Sequence, residues 1–461
     1  MAAAQPMASG PKGHWFWGSF TDFRQRRLAF LRELVSYGGT VGLRFGPFPV
    51  YMANSPEAIH QVLVTDASKY LKSVVTRRTL KSTLGNGLFI NDGESWKRQR
   101  RLAQPAFHTK RISSYADVMV QSAEQMANTW QSGVPVAMHH AMPQLTMDII
   151  TRTMFGGSLS ADFSDIGDSI SRLLEIIMAR FDRLYMIPEW IPTRENVELK
   201  GIVARLDSLI QGFIEERRAS GEDRGDLLAM LLLAQDEDGS GGMSDAQVRD
   251  ECMTIFGAGH ETTANALAWT WYALSQYPDI EAKLHHELDT VLAGRAPTLA
   301  DLPHLKYTEM VLKEAMRMYP PAWGTTRDAL EDVMLEGVPV KKGQTVFVNI
   351  YGVHMNPQYF PNPDTFDPER FSPENEKSIP KYAYLPFGGG PRVCIGNAFA
   401  MMEAKLIVAT LAQRFSLRVA PGQQVVPETV FTLRTKYGLS MIPQARATVA
   451  ASAPAVADPA L

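Results

Sequence analysis

Cys394 is one of only two cysteines in 461 residues and lies in Phe387-Gly388-Gly389-Gly390-Pro391-Arg392-Val393-Cys394-Ile395-Gly396. Four glycines surround it, and an apolar stretch suited to a helix follows. Glycine lets backbone N–H groups approach a ligand closely. A cysteine just before a helix N-terminus faces unpaired N–H donors and the positive end of the helix dipole, which favour thiolate. With Arg392 two residues away, such a sulfur suits a metal cofactor that carries its own anionic groups.

A second cluster sits inside a helix. Ser244-Asp245 caps a segment running to about Gln276 and stopped by Pro278. Met253, Ile255, Phe256, Leu267, Trp269, Trp271 and Leu274 make it apolar nearly all round, the pattern of a buried helix. Yet its middle reads Ala258-Gly259-His260-Glu261-Thr262-Thr263. Two glycines (Gly257, Gly259) cost about 2 kcal/mol relative to alanine, and a buried carboxyl or hydroxyl costs more unless paired. An acid beside an alcohol there suits proton transfer. Zinc is excluded, because the second histidine at i+4 is replaced by Ala264. Cys252 has no glycine loop and reads as a small core residue.

Two further pairs are spaced to share a helix face. Trp96 and Arg100 are i,i+4 and together suit an anionic group. Lys97, Arg98 and Arg101 fall on other faces, open to solvent or to an acidic partner. Glu314 and Arg317 are i,i+3 and are followed downstream by Pro368-Glu369-Arg370-Phe371. His354, on a loop before Asn356-Pro357, reads as structural.

The spacing F-x-x-G-x-R-x-C-x-G resembles the haem-binding loop of the cytochrome P-450 family, with all five fixed positions matched. Ala258–Thr263 resembles that family's oxygen-activating helix, Trp96/Arg100 its propionate-binding helix, and Glu314, Arg317 and Arg370 its buried Glu–Arg–Arg cluster. The resemblance implies a mainly α fold with a small β region, in one haem-containing domain over residues 15–444. Residues 1–14 and 445–461 are expected to be a flexible and a disordered tail. It implies haem b with Cys394 as axial ligand of the iron. Phe387, Gly388, Arg392, Trp96, Arg100, Arg327 and Ala258 would contact the cofactor, and Glu261 and Thr262 would be catalytic. Glu314, Arg317 and Arg370 would be structural.

The activity implied is insertion of one oxygen atom from O2 into a C–H bond of a mostly apolar small molecule. The stretch after Cys394 is too short for a flavin reductase, so NAD(P)H electrons are expected through a separate ferredoxin or flavodoxin and its reductase. Their expected docking face lies near Arg98, Arg101 and the loop before Cys394. A peroxide-driven or isomerising haem-thiolate enzyme, and a non-catalytic haem sensor or carrier, are the alternatives. Phe256, Ala258, residues 74–90, residues 322–326 and Phe431–Leu433 are expected to line the pocket. Residues 47–51 offer no arginine to anchor a fatty-acid carboxylate.

Composition agrees with a large-cored chain: 45% hydrophobic and 21% charged residues. A net charge of −3 gives no footprint for nucleic acid. Length alone suggests two or more domains, a division that composition does not mark. Two cysteines fit a reducing compartment, and no apolar run is long enough for a transmembrane anchor. A cytoplasmic monomer is expected. Trp15, Phe16, Trp17 and Phe20 are expected to seat the N-terminus on the body. Val74–Asp92, with glycines and no clean period, reads as a long loop, Asp236–Gly242 as an acidic turn, and Phe431–Leu433 as a strand.

Overall fold

The layout is set by the helix Asp245–Gln276, the central helix of a computed structural model that describes residues 10–156, 163–185, 187–222, 224–234 and 241–447. Its start is fixed by a reciprocal cap: the Ser244 hydroxyl accepts from the Gln247 N–H, and the Gln247 side chain accepts from the Ser244 N–H. Pro278 opens the next helix, Pro278–Leu292. Phe256, Leu267, Trp269 and Trp271 are buried on different sides of the central helix. It is wrapped by Met138–Met154, Arg194–Ser220, Lys306–Met318 and Asn397–Arg414.

Beside this helical body lies a five-stranded sheet. Its strands are β1 (Thr40–Phe45), β2 (Phe48–Ala53), β3 (Tyr70–Lys72), β4 (Thr325–Ala329) and β5 (Thr345–Val348). Their order is β1-β2-β5-β4-β3, antiparallel except between β2 and β5. The register places Lys72 of β3 directly opposite Arg327 of β4. A three-stranded sheet joins Val136–Ala137, Ser440–Ala445 and Phe415–Val419. Mainly helical with small sheets, this is the expected fold class.

Several expectations need correction. Val74–Leu84 is a helix, its first turn capped by the Ser73 side chain and its end set by Gly85 at φ 55°. Its buried face is Thr76, Thr79, Leu80 and Thr83, a helical spacing built mostly of threonine that an apolar count misses. Trp15, Phe16 and Trp17 are exposed; backbone bonds hold the segment instead, from Ser19 N–H to Arg44 O at 2.8 Å and Gly46 N–H to Trp17 O at 2.9 Å. Phe20 does reach the body, 5.7 Å from the Phe45 ring. Phe431 and Thr432 form the turn of a hairpin, Pro427–Thr429 with Leu433–Thr435, instead of a strand. Residues 1–9, most of the 236–242 turn and residues 448–461 lie outside the described residues. Among the described residues, no helix is long and apolar enough to cross a membrane.

Candidate functional site

The loop before the helix Asn397–Arg414 closes on itself. The Cys394 N–H donates to Phe387 O at 3.0 Å, and the Gly388 N–H to Leu385 O at 3.0 Å. Behind it, the His354 ring accepts from the Leu385 N–H at 2.9 Å, so His354 is structural as read from sequence. Gly390 has φ 67°, and a Cβ there would lie 1.8 Å from Leu63 O. Gly388 also has positive φ, but a Cβ on it would meet nothing within 4 Å. The backbone beside Phe387 thus has open space on one side.

Cys394 is accessible to solvent, yet protein surrounds it closely enough that burial pushes its thiol up. Both observations hold for a sulfur facing an internal gap. The Gly396 N–H and the Arg100 charge pull the other way and are outweighed. The lowered thiol pKa expected from the helix start is therefore not realised by the protein alone. A bound metal cation would deprotonate such a sulfur outright.

Above one edge of this gap, cations converge. The Arg392 guanidinium lies 4.3 Å from the Trp96 ring centroid and donates to Asn91 O at 2.9 Å; it also pairs with Asp92. Lys72 and Arg327, opposite each other across β3 and β4, are both buried. Like charges directly opposite are destabilising. Burial, Arg327 and Arg392 hold the Lys72 ammonium well below its usual range, against the pull of Asp92. Burial and Arg392 bring Arg327 down to about 10. The buried Lys72 and Arg327 and the half-buried Arg392 thus share one carboxylate, Asp92, an arrangement suited to a ligand bearing further carboxylates.

Trp96 and Arg100 border one groove, as their spacing suggested, and each also meets the cysteine loop. Trp96 turns to Arg392, while Arg100 donates to Val393 O at 3.0 Å, bracing the cysteine loop. Lys72 was missed, since nothing local to it in sequence marks it as facing Arg327.

The other side of the gap is the central helix. Among its buried turns, Ala258 is exposed and Gly257, Gly259, Glu261 and Thr262 are partly so. Gly259 packs closely on the neighbouring helix: a Cβ there would lie 2.3 Å from Ile150 Cδ1, so that side chain would have to move. Hydroxyls draw on three successive carbonyls of this turn. Thr262 donates to Ala258 O at 2.8 Å, Thr263 to Gly259 O at 3.2 Å, and Thr146 to His260 O at 2.8 Å. Such back-bonding loosens a helix locally.

Burial pushes the Glu261 carboxyl up to about 7, with the Thr432 hydroxyl and Arg434 pulling it back down. Thr432 in turn accepts from the Asn265 amide at 3.1 Å. A second acid lies deeper. Glu403, fully enclosed against Thr263, has no hydrogen-bond partner within normal geometry on either oxygen, and burial raises it to about 8. On sequence it is just another residue of an apolar helix.

Between the central helix, Val74–Leu84 and the overlying helix Phe163–Phe181 lies a cavity of about 60 Å³. Leu80, Thr83, Phe89, Phe256, Ala258 and Phe431 line it, as the sequence suggested; Ile170, Leu173, Leu174 and Ile177 of the roof helix were not foreseen. Residues 322–326 are not in its wall. Thr326 stands behind, with its hydroxyl 3.2 Å from that of Thr76.

Glu314, Arg317 and Arg370 do come together. Arg317 grips both Glu314 oxygens at 2.7 Å, and both side chains are wholly buried. Arg317 also donates to His354 O at 2.9 Å and Pro363 O at 2.8 Å, tying the helix to the meander before the cysteine loop. Arg370 Nε stands 3.4 Å from Glu314 and makes a poorly directed contact.

With this geometry in view, the comparisons are specific. A family model described as Cytochrome P450 matches residues 8–444. The chain is 40% identical to cyclooctatin synthase of Streptomyces melanosporofaciens, over 92% of each protein. It is 37% identical to cyclooctat-9-en-7-ol 5-monooxygenase of the same organism, over 86% of each. Pentalenene oxygenase of Streptomyces avermitilis is 32% identical, over 90% of this chain and 92% of that one. Among solved structures, the haem domain of cytochrome P450DA superposes with a TM-score of 0.86 at 26% identity, covering 97% of this chain and 99% of that one.

Proposed function

The chain belongs to the cytochrome P450 family of monooxygenases, and from that premise we propose that it hydroxylates a C–H bond of a polycyclic terpenoid. The central helix carries this reading: it turns Gly257 and Ala258, one turn before its partly exposed acid–alcohol pair, towards a cavity walled mostly by aliphatic and aromatic side chains. Two relatives are named for oxidising cyclooctat-9-en-7-ol and pentalenene. A retained Glu261–Thr262 pair favours this reading over a peroxide-driven or isomerising enzyme, whose chemistries need no proton relay.

The residues present fit haem b. Open backbone beside Gly388, a sulfur facing the gap, and three basic side chains sharing one carboxylate match a flat ring with two propionates. In this reading Cys394 would ligate the iron, and Phe387 and Gly388 would contact the ring. Trp96, Arg100, Arg327 and Arg392, with Lys72, would hold the propionates, and Arg100 also steadies the loop. Haem bound through a thiolate supplies the activation of dioxygen. The protein contributes the rest. Ala258 and Gly257 leave room beside the ring, Thr262 opens the helix turn, and Glu261 passes protons into the cavity at the Thr262 hydroxyl.

An open volume of about 60 Å³ is below the ~300–1,000 Å³ of ligand pockets, so the wall must widen to admit a polycyclic substrate. Electrons would come from a separate ferredoxin or flavodoxin and its reductase. Lys97, Arg101 and His108 flank a groove at Trp96 and Arg100, beside the cysteine loop, and suit an acidic partner. Arg98 is engaged with Gly242 O at 2.9 Å and helps frame this face.

The test joins spectrum and product. Reduced enzyme with CO should give the thiolate-type Soret band, lost in Cys394→Ala. Polycyclic terpenoids should shift the resting Soret band to the blue, and products formed under labelled dioxygen should carry one labelled oxygen. A Cys394→Ala protein that kept the thiolate band, or products without label, would sink the proposal.

A further inference from the structure

The apolar cavity wall has two threonines, Thr83 and Thr254. Thr254 is satisfied, donating to Asp250 O at 2.8 Å. Thr83 is not: it is 3% exposed, and its hydroxyl has no hydrogen-bond partner. One turn earlier on the same helix face, the Thr79 hydroxyl is also buried and without a partner. Helical threonines in this protein ordinarily bond back to the carbonyl four residues before. Thr153, Thr270 and Thr410 do so at 2.7 Å, and Thr146 does so at 3.1 Å. Thr79 and Thr83 depart from that habit, as does Thr151 elsewhere, and only Thr83 of the three borders the cavity.

A buried hydroxyl left unmatched is destabilising, and native proteins keep few of them. Ordered water is a poor match here. A buried water makes about three hydrogen bonds, whereas this aliphatic wall offers one unmatched hydroxyl. A single oxygen on an otherwise apolar ligand matches both the donor and the wall.

We infer that the substrate already carries a hydroxyl or carbonyl oxygen, held by Thr83 at a point remote from the carbon that reacts. Thr83 stands on the helix Val74–Leu84, while the reacting carbon must lie against Gly257 and Ala258 of the central helix. The oxygen orients the ring system by one fixed point, and the aliphatic wall fills the remainder. This rests on the terpenoid-hydroxylation reading above. It also orders the chemistry: an earlier monooxygenation, or a cyclisation ending in addition of water to a carbocation with loss of a proton, must supply the substrate.

The experiment titrates holoenzyme with matched pairs and reads the Soret shift. The pairs are a polycyclic terpene and its mono-alcohol, a sterane and its sterol, and an alkane and its alkanol. Within the class that binds, wild type should take the oxygenated member roughly three- to tenfold more tightly. Thr83→Val, which replaces the hydroxyl with a methyl, should abolish that preference, and Thr83→Ser should retain it. Should Thr83→Val load haem poorly, Thr83→Ala removes the same hydroxyl and is read in the same way. Equal binding of both members in wild type, or a preference unchanged in Thr83→Val, overturns the inference. Binding confined to the sterane or alkane pair overturns the terpenoid reading instead, and the Thr83 preference is then read in that pair.

Discussion

The Arg392 guanidinium carbon lies over the Trp96 indole, 4.3 Å from the ring centroid, and so joins the cysteine loop to the helix Gly93–Ala103. Through Asp92 the same arginine reaches the β3–β4 edge, where Lys72 faces Arg327. Charge at this junction is unbalanced in the protein alone.

That imbalance predicts opposite effects of Lys72→Met with and without cofactor. The apoprotein should become more stable, because a buried amine whose charged form burial, Arg327 and Arg392 all oppose is removed. The holoprotein should lose haem faster, by roughly thirtyfold if one charge-assisted hydrogen bond of about 2 kcal/mol disappears. Apoprotein denaturation midpoints and the rate of haem transfer to an acceptor protein read the two arms. A Lys72→Met protein that kept haem as long as wild type would remove Lys72 from the propionate site.

The buried pair Glu314–Arg317 predicts a different asymmetry. Glu314→Gln leaves the Arg317 charge enclosed and should cost about 3–5 kcal/mol. Arg317→Lys cannot grip both carboxylate oxygens and still reach His354 O and Pro363 O, so it should fare little better. Arg370, with its poorly directed 3.4 Å contact, should tolerate Arg370→Lys with a much smaller loss. Urea midpoints of the three holoproteins give the ranking, and equal losses would show that Arg370 bears as much as Arg317.

What could be read before the structure was whatever a fixed local spacing encodes. The cysteine loop, the capped central helix and Glu314/Arg317 each lie within one segment, so their neighbours are set by helix or turn geometry. Lys72 and Arg327 meet only through strand pairing between distant segments. The i,i+4 spacing of Trp96 and Arg100 shows one helix and not the loop packed on it, so their contacts with Arg392 and Val393 O could not be read. The threonine face of Val74–Leu84 hid a helix, and with it the roles of Thr79 and Thr83. Glu403 was invisible for a similar reason: burial of a carboxyl is a property of the packed helices around it.

The basic groove at Lys97, Arg101 and His108 predicts electrostatic docking of an acidic electron donor. Arg101→Glu should slow reduction by ferredoxin roughly tenfold at low salt, and the deficit should shrink as ionic strength rises. Stopped-flow reduction in the presence of CO measures both. A rate indifferent to salt and to the charge at position 101 would move the docking face elsewhere.

Glu261 makes the pH dependence testable in sign as well as size. Its carboxyl, raised to about 7 by burial, is protonated below that pH and able to donate; above it, the proton is gone. Turnover limited by proton delivery should therefore fall as pH rises through about 7. The Thr432 hydroxyl and Arg434 both favour the carboxylate, so removing either must raise the proton affinity further. Thr432→Val and Arg434→Met should each move the fall to higher pH, by about one unit for the lost hydrogen bond. Glu261→Gln should flatten the profile at a low rate, with reducing equivalents diverted from product to reduced oxygen. Product formation and NADPH consumption across the pH range distinguish these outcomes. An inflection that stayed in place in Thr432→Val would assign it to another group.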